Sequence, residues 1–490
     1  MSGGAAQTQG TARELKPNCP VAADIERRSR DVSVVRWSIG LALVAYCAGP
    51  AMAQSSIQTA FNYDFQEEPA APPAPGAPAH EATAEPAPAA DASAPCDCAS
   101  ESSSSCCCEA SCGCENGCCS SCGCGSGWGL GDCLCCDCCL GDAWVLKDCL
   151  SPCCDHNYGG WVSYGYYDDN DRFSVAPNDL FSFWDNPDEL NMDQAWLYFE
   201  KTAEGGSCCC DWGYRVDVVY GVDAQKTQAF GNSGGTWDVT FDHGSYGWAI
   251  PQTYLEFAYC DWSVKAGHFF TPLGYEVVPK TGNFFYSHSF SMFNSEPFTH
   301  TGMLATYSAN DCMTYYLGWT LGWDTGFDQL AGGSNFLGGF AYQLNDNVKY
   351  TYMNTAGDFG WRGEGYSHSN VFDATLSDCW QYVLQSDYLN ASNLDGFDEE
   401  NVSVINYLFY TLNDCWKLGG RMEWWKSNFP TGEMASYYEI TGGINYHAHA
   451  NLVVRPEVKY NWTPSDEAFD AAQGVEFNQT LFGVDAILTF

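Results

Sequence analysis

Charge is scarce in this chain, and positive charge is scarcest. Charged residues make up 17% of its 490 positions, with 20 Lys and Arg against 61 Asp and Glu, for a net charge of −41. A soluble globular surface usually carries more charge than that. So few basic groups exclude a nucleic-acid partner, because phosphate neutralisation needs a clustered basic footprint. Long apolar runs are missing as well. Beyond residue 53 no stretch offers 18 consecutive apolar residues. No helix is therefore expected to cross a membrane, and a membrane-embedded fold would have to be a closed barrel. Enzyme signatures are also absent: there is no Gly-x-Ser-x-Gly elbow, no His-Glu-x-x-His, no phosphate-binding loop and no dinucleotide fingerprint. Ser287 and His288 are adjacent, but neighbours in an extended segment point to opposite sides, so they make no catalytic pair. The expectation is a protein that is not an enzyme and uses no cofactor.

What is present divides the chain into zones. Arg27, Arg28, Arg30 and Arg36 precede an apolar core at 37–48 and the small-x-small site Ala51-Met52-Ala53, which reads residues 1–53 as a signal peptide with an extended basic region. Residues 54–95 are a Pro/Ala-rich linker that cannot bury a core and is expected to be disordered. Residues 96–157 form a Cys-rich module: 19 of the 28 cysteines lie between 96 and 154. Their irregular spacing argues against paired zinc knuckles, and an exported chain meets an oxidising compartment, so disulfides are favoured and no metal is assigned; thiolate metal binding is the alternative. An odd count leaves a partner wanting. Cys208, Cys260, Cys312, Cys379 and Cys415 sit in short turns and are candidates to bridge to the module or to a neighbouring chain.

From residue 158 onward the pattern is alternation. In 416–424 Trp416, Leu418, Gly420, Met422 and Trp424 share one face; in 452–462 Leu452, Val454, Pro456, Val458, Tyr460 and Trp462 do the same. Period two sustained over nine to eleven residues, with aromatics at the ends, is the pattern of a transmembrane β-strand. Short turns rich in Asp, Asn and Cys alternate with longer Gly- and Asp-rich connections such as 223–247 and 271–300. The expected fold is all-β: an antiparallel transmembrane barrel of about sixteen strands over 158–490, with both its ends on the periplasmic side. Strand starts are expected near 159, 192, 212, 249, 262, 302, 313, 336, 348, 368, 380, 401, 416, 436, 452 and 477. The last strand alternates Phe482, Val484, Ala486, Leu488 and Phe490, and a terminal aromatic in that pattern reads as the signal by which barrel-assembly machinery recognises its clients.

The segment 267–307 carries Gly267-His268-Phe269, Thr271-Pro272-Leu273-Gly274-Tyr275-Glu276, Tyr286-Ser287-His288-Ser289 and Pro297-Phe298-Thr299-His300-Thr301-Gly302. In these residues the chain resembles the OmpL-like β-barrel porin family (type 2). The resemblance implies an outer-membrane channel and no catalytic residue. The Cys-rich module lies outside it.

A passive pore selects by width and by the charges at its narrowest point. Residues 271–300 connect the fifth and sixth strands, the connection that in sixteen-stranded porins folds inward, so Tyr275, Glu276, Lys280, His288 and His300 are the candidate constriction residues. His268 shares its parity with Trp262, Val264 and Ala266, which places it at the lipid interface unless a bulge intervenes. If Cys260-Asp261 is a two-residue hairpin loop, Tyr259 faces Trp262 and Glu256 faces Lys265 on the polar wall. Arg421, Glu423, Arg455, Glu457 and Lys459 form a mixed-charge patch on the same wall of later strands. The functional expectation is passive diffusion of small polar solutes or ions with a preference for cations; the alternative is a structural envelope anchor cross-linked through its cysteines. The partners implied are membrane lipids, the outer-membrane assembly machinery, disulfide-linked envelope components and, by analogy with sixteen-stranded porins, two further copies in a homotrimer.

Overall fold

Alternation of side chains between two faces becomes a wall when each strand finds a neighbour on both sides. The computed structural model describes residues 140–147, 156–168, 183–184, 186–205, 209–231, 235–238, 242–392, 398–428, 433–464 and 478–490. The signal peptide, the linker, most of the Cys-rich module and, among the turn candidates, Cys208 lie outside those residues. The strands are β1 (Asn157–Tyr167), β2 (Asn191–Lys201), β3 (Asp211–Gly221), the short β4 (Phe230–Gly231) and β5 (Gly235–Thr236), β6 (Gly247–Tyr259), β7 (Trp262–Phe270), β8 (Thr299–Asn310), β9 (Met313–Thr320), β10 (Ser334–Asn345), β11 (Val348–Asp358), β12 (Glu364–Thr375), β13 (Trp380–Ser392), β14 (Asp398–Thr411), β15 (Trp416–Ser427), β16 (Ala435–His449), β17 (Leu452–Trp462) and β18 (Gln479–Thr489). β4 and β5 pair with each other outside the barrel sheet. The other sixteen close into one antiparallel barrel in the order β1-β18-β17-β16-β15-β14-β13-β12-β11-β10-β9-β8-β7-β6-β3-β2. Every strand anticipated from the alternation is present, and none of the sixteen is displaced by more than a few residues.

Closure rests on β18, which pairs with β17 on one edge and β1 on the other. The terminal residue completes it: the Gly160 N–H donates to the Phe490 carbonyl and the Phe490 N–H to the Gly160 carbonyl, both at 2.9 Å. Seven short connections join the strands at one end. Three of them are held by an asparagine turned back on its own backbone: Asn310 Oδ1 accepts from Cys312 N at 2.9 Å, Asn345 Oδ1 from Asn347 N at 2.9 Å and Asn413 Oδ1 from Cys415 N at 3.0 Å. An Asx side chain that mimics the next peptide is why these residues make tight turns. Segment 140–147 docks on this same end, where Trp144 N and O pair with Asn451 Oδ1 and Nδ2, each at 2.7 Å.

The outer face is mostly apolar and ringed at its two ends by aromatics. At the short-turn end Trp262 stacks with Tyr307 at 4.5 Å and Trp416 with Tyr446 at 4.3 Å; at the far end Tyr438 stacks with Trp462 at 5.2 Å. From Trp416 to Trp424 is eight residues, roughly 26 Å of strand at ~3.3 Å per residue, the height of an apolar membrane band once tilt is counted.

Removing 479–490 deletes the one strand that both closes the barrel and covers the edge of β17. The truncated chain is expected to give no heat-modifiable band on unheated gels after refolding in detergent; a folded, faster-migrating species would refute this account of closure.

Candidate functional site

The connection between β7 and β8, residues 271–298, runs inside the barrel, and it is tied there by the charged wall. It contains a short 3-10 turn (Lys280–Gly282) and the five-residue helix α1 (Phe290–Asn294), which is capped by Ser289. Few of its backbone N–H groups find partners in secondary structure, because a chain turning inside a lumen has no ladder to join. Wall carboxylates take their place. Glu423 on β15 accepts from Phe290 N at 2.6 Å and Ser291 N at 2.8 Å, the free donors of the first helical turn. Glu457 on β17 accepts from Tyr286 N at 2.7 Å and Ser287 N at 3.1 Å. Loop carbonyls are held by wall cations: Arg455 donates to Lys280 O at 2.9 Å and Asn283 O at 2.6 Å while bound to Asp485, and Lys459 donates to His288 O at 3.0 Å.

Arg421 on β15 is the hub. It donates to Glu276 Oε1 at 2.7 Å, to Ser287 O at 2.8 Å, to Ser287 Oγ at 2.9 Å and to His288 O at 3.1 Å, and it is paired to Glu439 of β16. Glu439 also meets Lys459 Nζ at 2.6 Å. All these groups are buried. Such charges cost free energy to bury and repay it only when their donors and acceptors are matched, as those of Arg421, Glu439 and Lys459 are. The Glu276 carboxylate, which burial alone would raise, is held well below the usual range by the Arg421 guanidinium. Burial pushes the imidazole of His288 down to about 4, so it is neutral; its Nδ1 lies 3.6 Å from Glu276 Oε2, beyond hydrogen-bond reach.

Small residues on the wall make room for large ones on the loop. Gly419 and Gly443 leave space for Phe284 and Phe285, and a side chain at Gly483 would strike Trp184 and Tyr286. Phe284, Phe285 and Tyr275 pack on Val371, Val383, Ile405, Tyr407 and Phe409 of the wall. On the opposite side Phe269 and Leu273 pack against Leu304, Leu337 and Met353. The middle of the barrel is therefore filled. Towards the short-turn end the inward side chains of Arg215 and Glu200 remain 25% exposed and Lys349 is exposed, which describes a polar vestibule beneath the loop.

Tyr275, Glu276, Lys280 and His288 lie on the inserted loop. Lys280 reaches Asp223 at 3.5 Å and sits over the Tyr286 ring. His300 belongs instead to β8, because that strand begins at Thr299; its Nε2 lies 3.0 Å from Thr271 Oγ1. Tyr275 and Lys280 stand apart from the Arg421 hub, and none of the five is exposed. His268 has the outer parity but is covered by Trp237 and bonded to Thr301. Glu256 and Lys265 are opposed in register, as are Tyr259 and Trp262; the Lys265 ammonium lies 4.8 Å from the centre of the Tyr254 ring. Arg421, Glu423, Arg455, Glu457 and Lys459 are all wall anchors of the loop. Phe482, Val484 and Leu488 lie on the outer face of β18. Among the turn cysteines, Cys260, Cys312 and Cys415 are disulfide-bonded, whereas Cys379 is a free, exposed thiol. Sequence reasoning missed Glu439, Asp485 and Gln194, although Asp485 has the parity opposite to the outward Phe482, Val484 and Leu488 and Glu439 lies opposite Glu423 in register. Gln194, which holds Val278 O at 2.8 Å and Lys280 N at 3.1 Å, had no such signal.

The return leg of the loop is fixed by Asp324, in the connection from β9 to β10, whose Oδ1 accepts from Phe298 N at 2.7 Å and Thr299 N at 3.0 Å. Burial pushes its carboxyl up to about 7, against the pull of those two N–H groups. The folded chain thus holds this proton to a higher pH than the unfolded chain, and stability contributed here falls as pH rises from about 4 to about 7. Thermal stability should drop across that window, and Asp324→Asn, which keeps the accepting oxygen, should flatten the drop; an unchanged pH profile would exclude Asp324 as its source. Arg421→Met strips Glu276 of its guanidinium partner and leaves Glu439 with Lys459 alone, a loss of about 3–5 kcal/mol. Urea titration of refolded protein should show that loss, and single-channel records should show a larger, noisier conductance as the loop loosens.

The family model described as "Putative beta-barrel porin-2, OmpL-like" matches residues 155–490. No curated protein matches the chain. Among solved structures, the outer membrane channel DcaP of Acinetobacter baumannii is 13% identical, with 68% of this chain aligned to 97% of that one at a TM-score of 0.46. An anion-selective porin from Comamonas acidovorans is 10% identical over 68% of this chain and 99% of its own, at a TM-score of 0.46. The trimer form of OmpT, an outer membrane protein of Vibrio cholerae, is 10% identical over 68% and 99%, at a TM-score of 0.44.

Proposed function

This chain belongs to the OmpL-like β-barrel porin-2 family, and from that premise we propose that it is an outer-membrane channel for small polar solutes or ions whose width is set by the loop 271–298. The observation that carries the reading is the anchoring of that loop: wall carboxylates and guanidinium groups hold its backbone inside a closed barrel, which is how a fixed constriction is built. Tyr275, Glu276, Lys280 and His288 are assigned to the inserted loop that narrows the barrel, and His300 to the strand at its base. A preference for cations follows from the charge around the loop. Among the described residues twelve buried carboxylates accompany five buried Lys and Arg, an acidic excess that supports the cation reading although Asp324 holds its proton to about pH 7. Glu256, Lys265 and the partly exposed Arg215 and Glu200 line the approach from the short-turn end.

That end is assigned to the periplasm, with the Cys-rich region beside it, because segment 140–147 docks there and the cysteines of three of its turns are disulfide-bonded. Phe482, Val484, Leu488 and Phe490 are assigned to recognition by the assembly machinery, and the working unit to a homotrimer. A second reading is favoured by the filled middle of the barrel: an envelope anchor that conducts little and is cross-linked through its cysteines.

The test is single-channel conductance and reversal potential of residues 54–490 in a planar bilayer, beside a variant with 275–296 replaced by a short glycine linker. Small ohmic steps with a cation-directed potential, several-fold larger in the deleted form, are expected. Silence from the intact chain with conduction by the deleted form would favour the anchor, and silence from both, in protein shown to be folded and inserted, would sink the channel.

A further inference from the structure

The outer face of the barrel is apolar at mid-height except on β11 to β14. Leu197, Leu255, Leu317, Met422, Ile440 and Val458 are exposed on the other strands. On β12 and β13 the corresponding outward residues are His368, Asn370 and Ser386, flanked by Asn354 on β11 and Asn406 on β14. Their outward direction is fixed by their neighbours, since Val371, Val383 and Ile405, of the opposite parity, pack against the inserted loop.

Their depth is fixed by register. One row of paired residues runs Trp462, Tyr438, Trp424, Val404, Ser386, Asn370, Tyr352, Phe340, Tyr315, Tyr307, Trp262 across the tilted strands. It begins in the aromatic ring at the long-loop end and finishes in the ring at the short-turn end. Ser386 and Asn370 stand midway, at the level of the hydrocarbon core.

Some of this polarity is satisfied within the wall: Tyr350 donates to Asn370 Oδ1 at 2.8 Å and Tyr382 to Asn406 Oδ1 at 2.7 Å. Asn370 Nδ2 also donates to the Ser386 carbonyl at 3.4 Å, while the His368 imidazole is left over. The His368 ring lies among Tyr352, Tyr366 and Tyr388 at 5.5 to 6.0 Å, and its buried Nδ1 has no hydrogen-bond partner. Hydrocarbon offers such groups nothing, and lipid headgroups lie beyond the aromatic rings, so only protein can satisfy them at this depth. A wall that presents amides, a hydroxyl and an imidazole offers donors and acceptors together and is complementary to itself.

We propose that the outer face of β11–β14, centred on His368, Asn370 and Ser386, is the surface through which this barrel binds a second copy of itself in the membrane. The inference rests on the outer-membrane reading above, and it places the contact on the far side of the barrel from the β1–β18 closure. Interchain hydrogen bonds of this kind complete the polar groups while the flanking Tyr352, Tyr366 and Tyr388 supply flat apolar contact.

The triple variant His368→Leu, Asn370→Leu, Ser386→Ala tests it. Refolded wild type and variant are compared by sedimentation in mild detergent across a hundredfold range of concentration. Wild type should be oligomeric, and the variant should be monomeric or self-associate at least tenfold more weakly. Heat-modifiable migration of the variant separates loss of assembly from loss of the barrel itself; if the triple variant does not fold, Ser386→Ala and Asn370→Leu singly serve, each expected to weaken association. A monomeric wild type, an oligomer unaffected by the substitutions, or a different protein bound stoichiometrically to this face in extracted membranes would overturn the proposal.

Discussion

No group in the hydrocarbon of a bilayer accepts a hydrogen bond from a peptide, so a chain that crosses it as strands must leave no strand edge unpaired. The rest of this molecule follows from that constraint. It requires β18 to meet β1, and the bonds exchanged by Gly160 and Phe490 finish the ring at its last residue. It requires an outer face that lipid tolerates, hence the apolar alternation between two aromatic rings. By elimination it sends the polar half of every strand inward.

An inward polar face creates a second problem, because a barrel of sixteen strands is too wide for its own side chains to fill. The loop between β7 and β8 solves it. The loop brings unpaired backbone N–H and C=O groups into the lumen, and the wall brings charged side chains that would be costly if left alone. Each satisfies the other: Glu423 and Glu457 accept from four loop amides, and Arg421, Arg455 and Lys459 donate to loop carbonyls. The same match makes the loop rigid. A loop held by buried ion pairs keeps one geometry, as a constriction would need and a flexible lid would not give.

Much of the wall could be read in advance because period two is a local property. Trp416 to Trp424 declare their shared face whatever lies beside them, and Asn310 and Asn413 declare their turns through bonds to residues two places on. Register was legible where a turn pinned it, as at Cys260-Asp261, which sets Glu256 against Lys265. The lumen loop was legible as an inserted segment through its resemblance and its position between the fifth and sixth strands. Its contacts were not, since Arg421 and Ser287 are 134 residues apart. His300 was misplaced by a boundary that only strand pairing draws.

The sequence alone determined which residues of each strand face lipid and which face inward, because adjacent side chains of an extended chain point opposite ways. It also determined that the chain would close as a barrel, because the apolar runs are too short for helices. Only the tertiary structure decided what the inward charges are for. Arg421, Glu423 and Glu457 would look the same lining open water or gripping a loop, and the difference lies in hydrogen bonds between positions that no local period relates. It likewise decided that His368, Asn370 and Ser386 stand at mid-membrane, because depth in a tilted barrel is set by the register of every strand between them and the two aromatic rings.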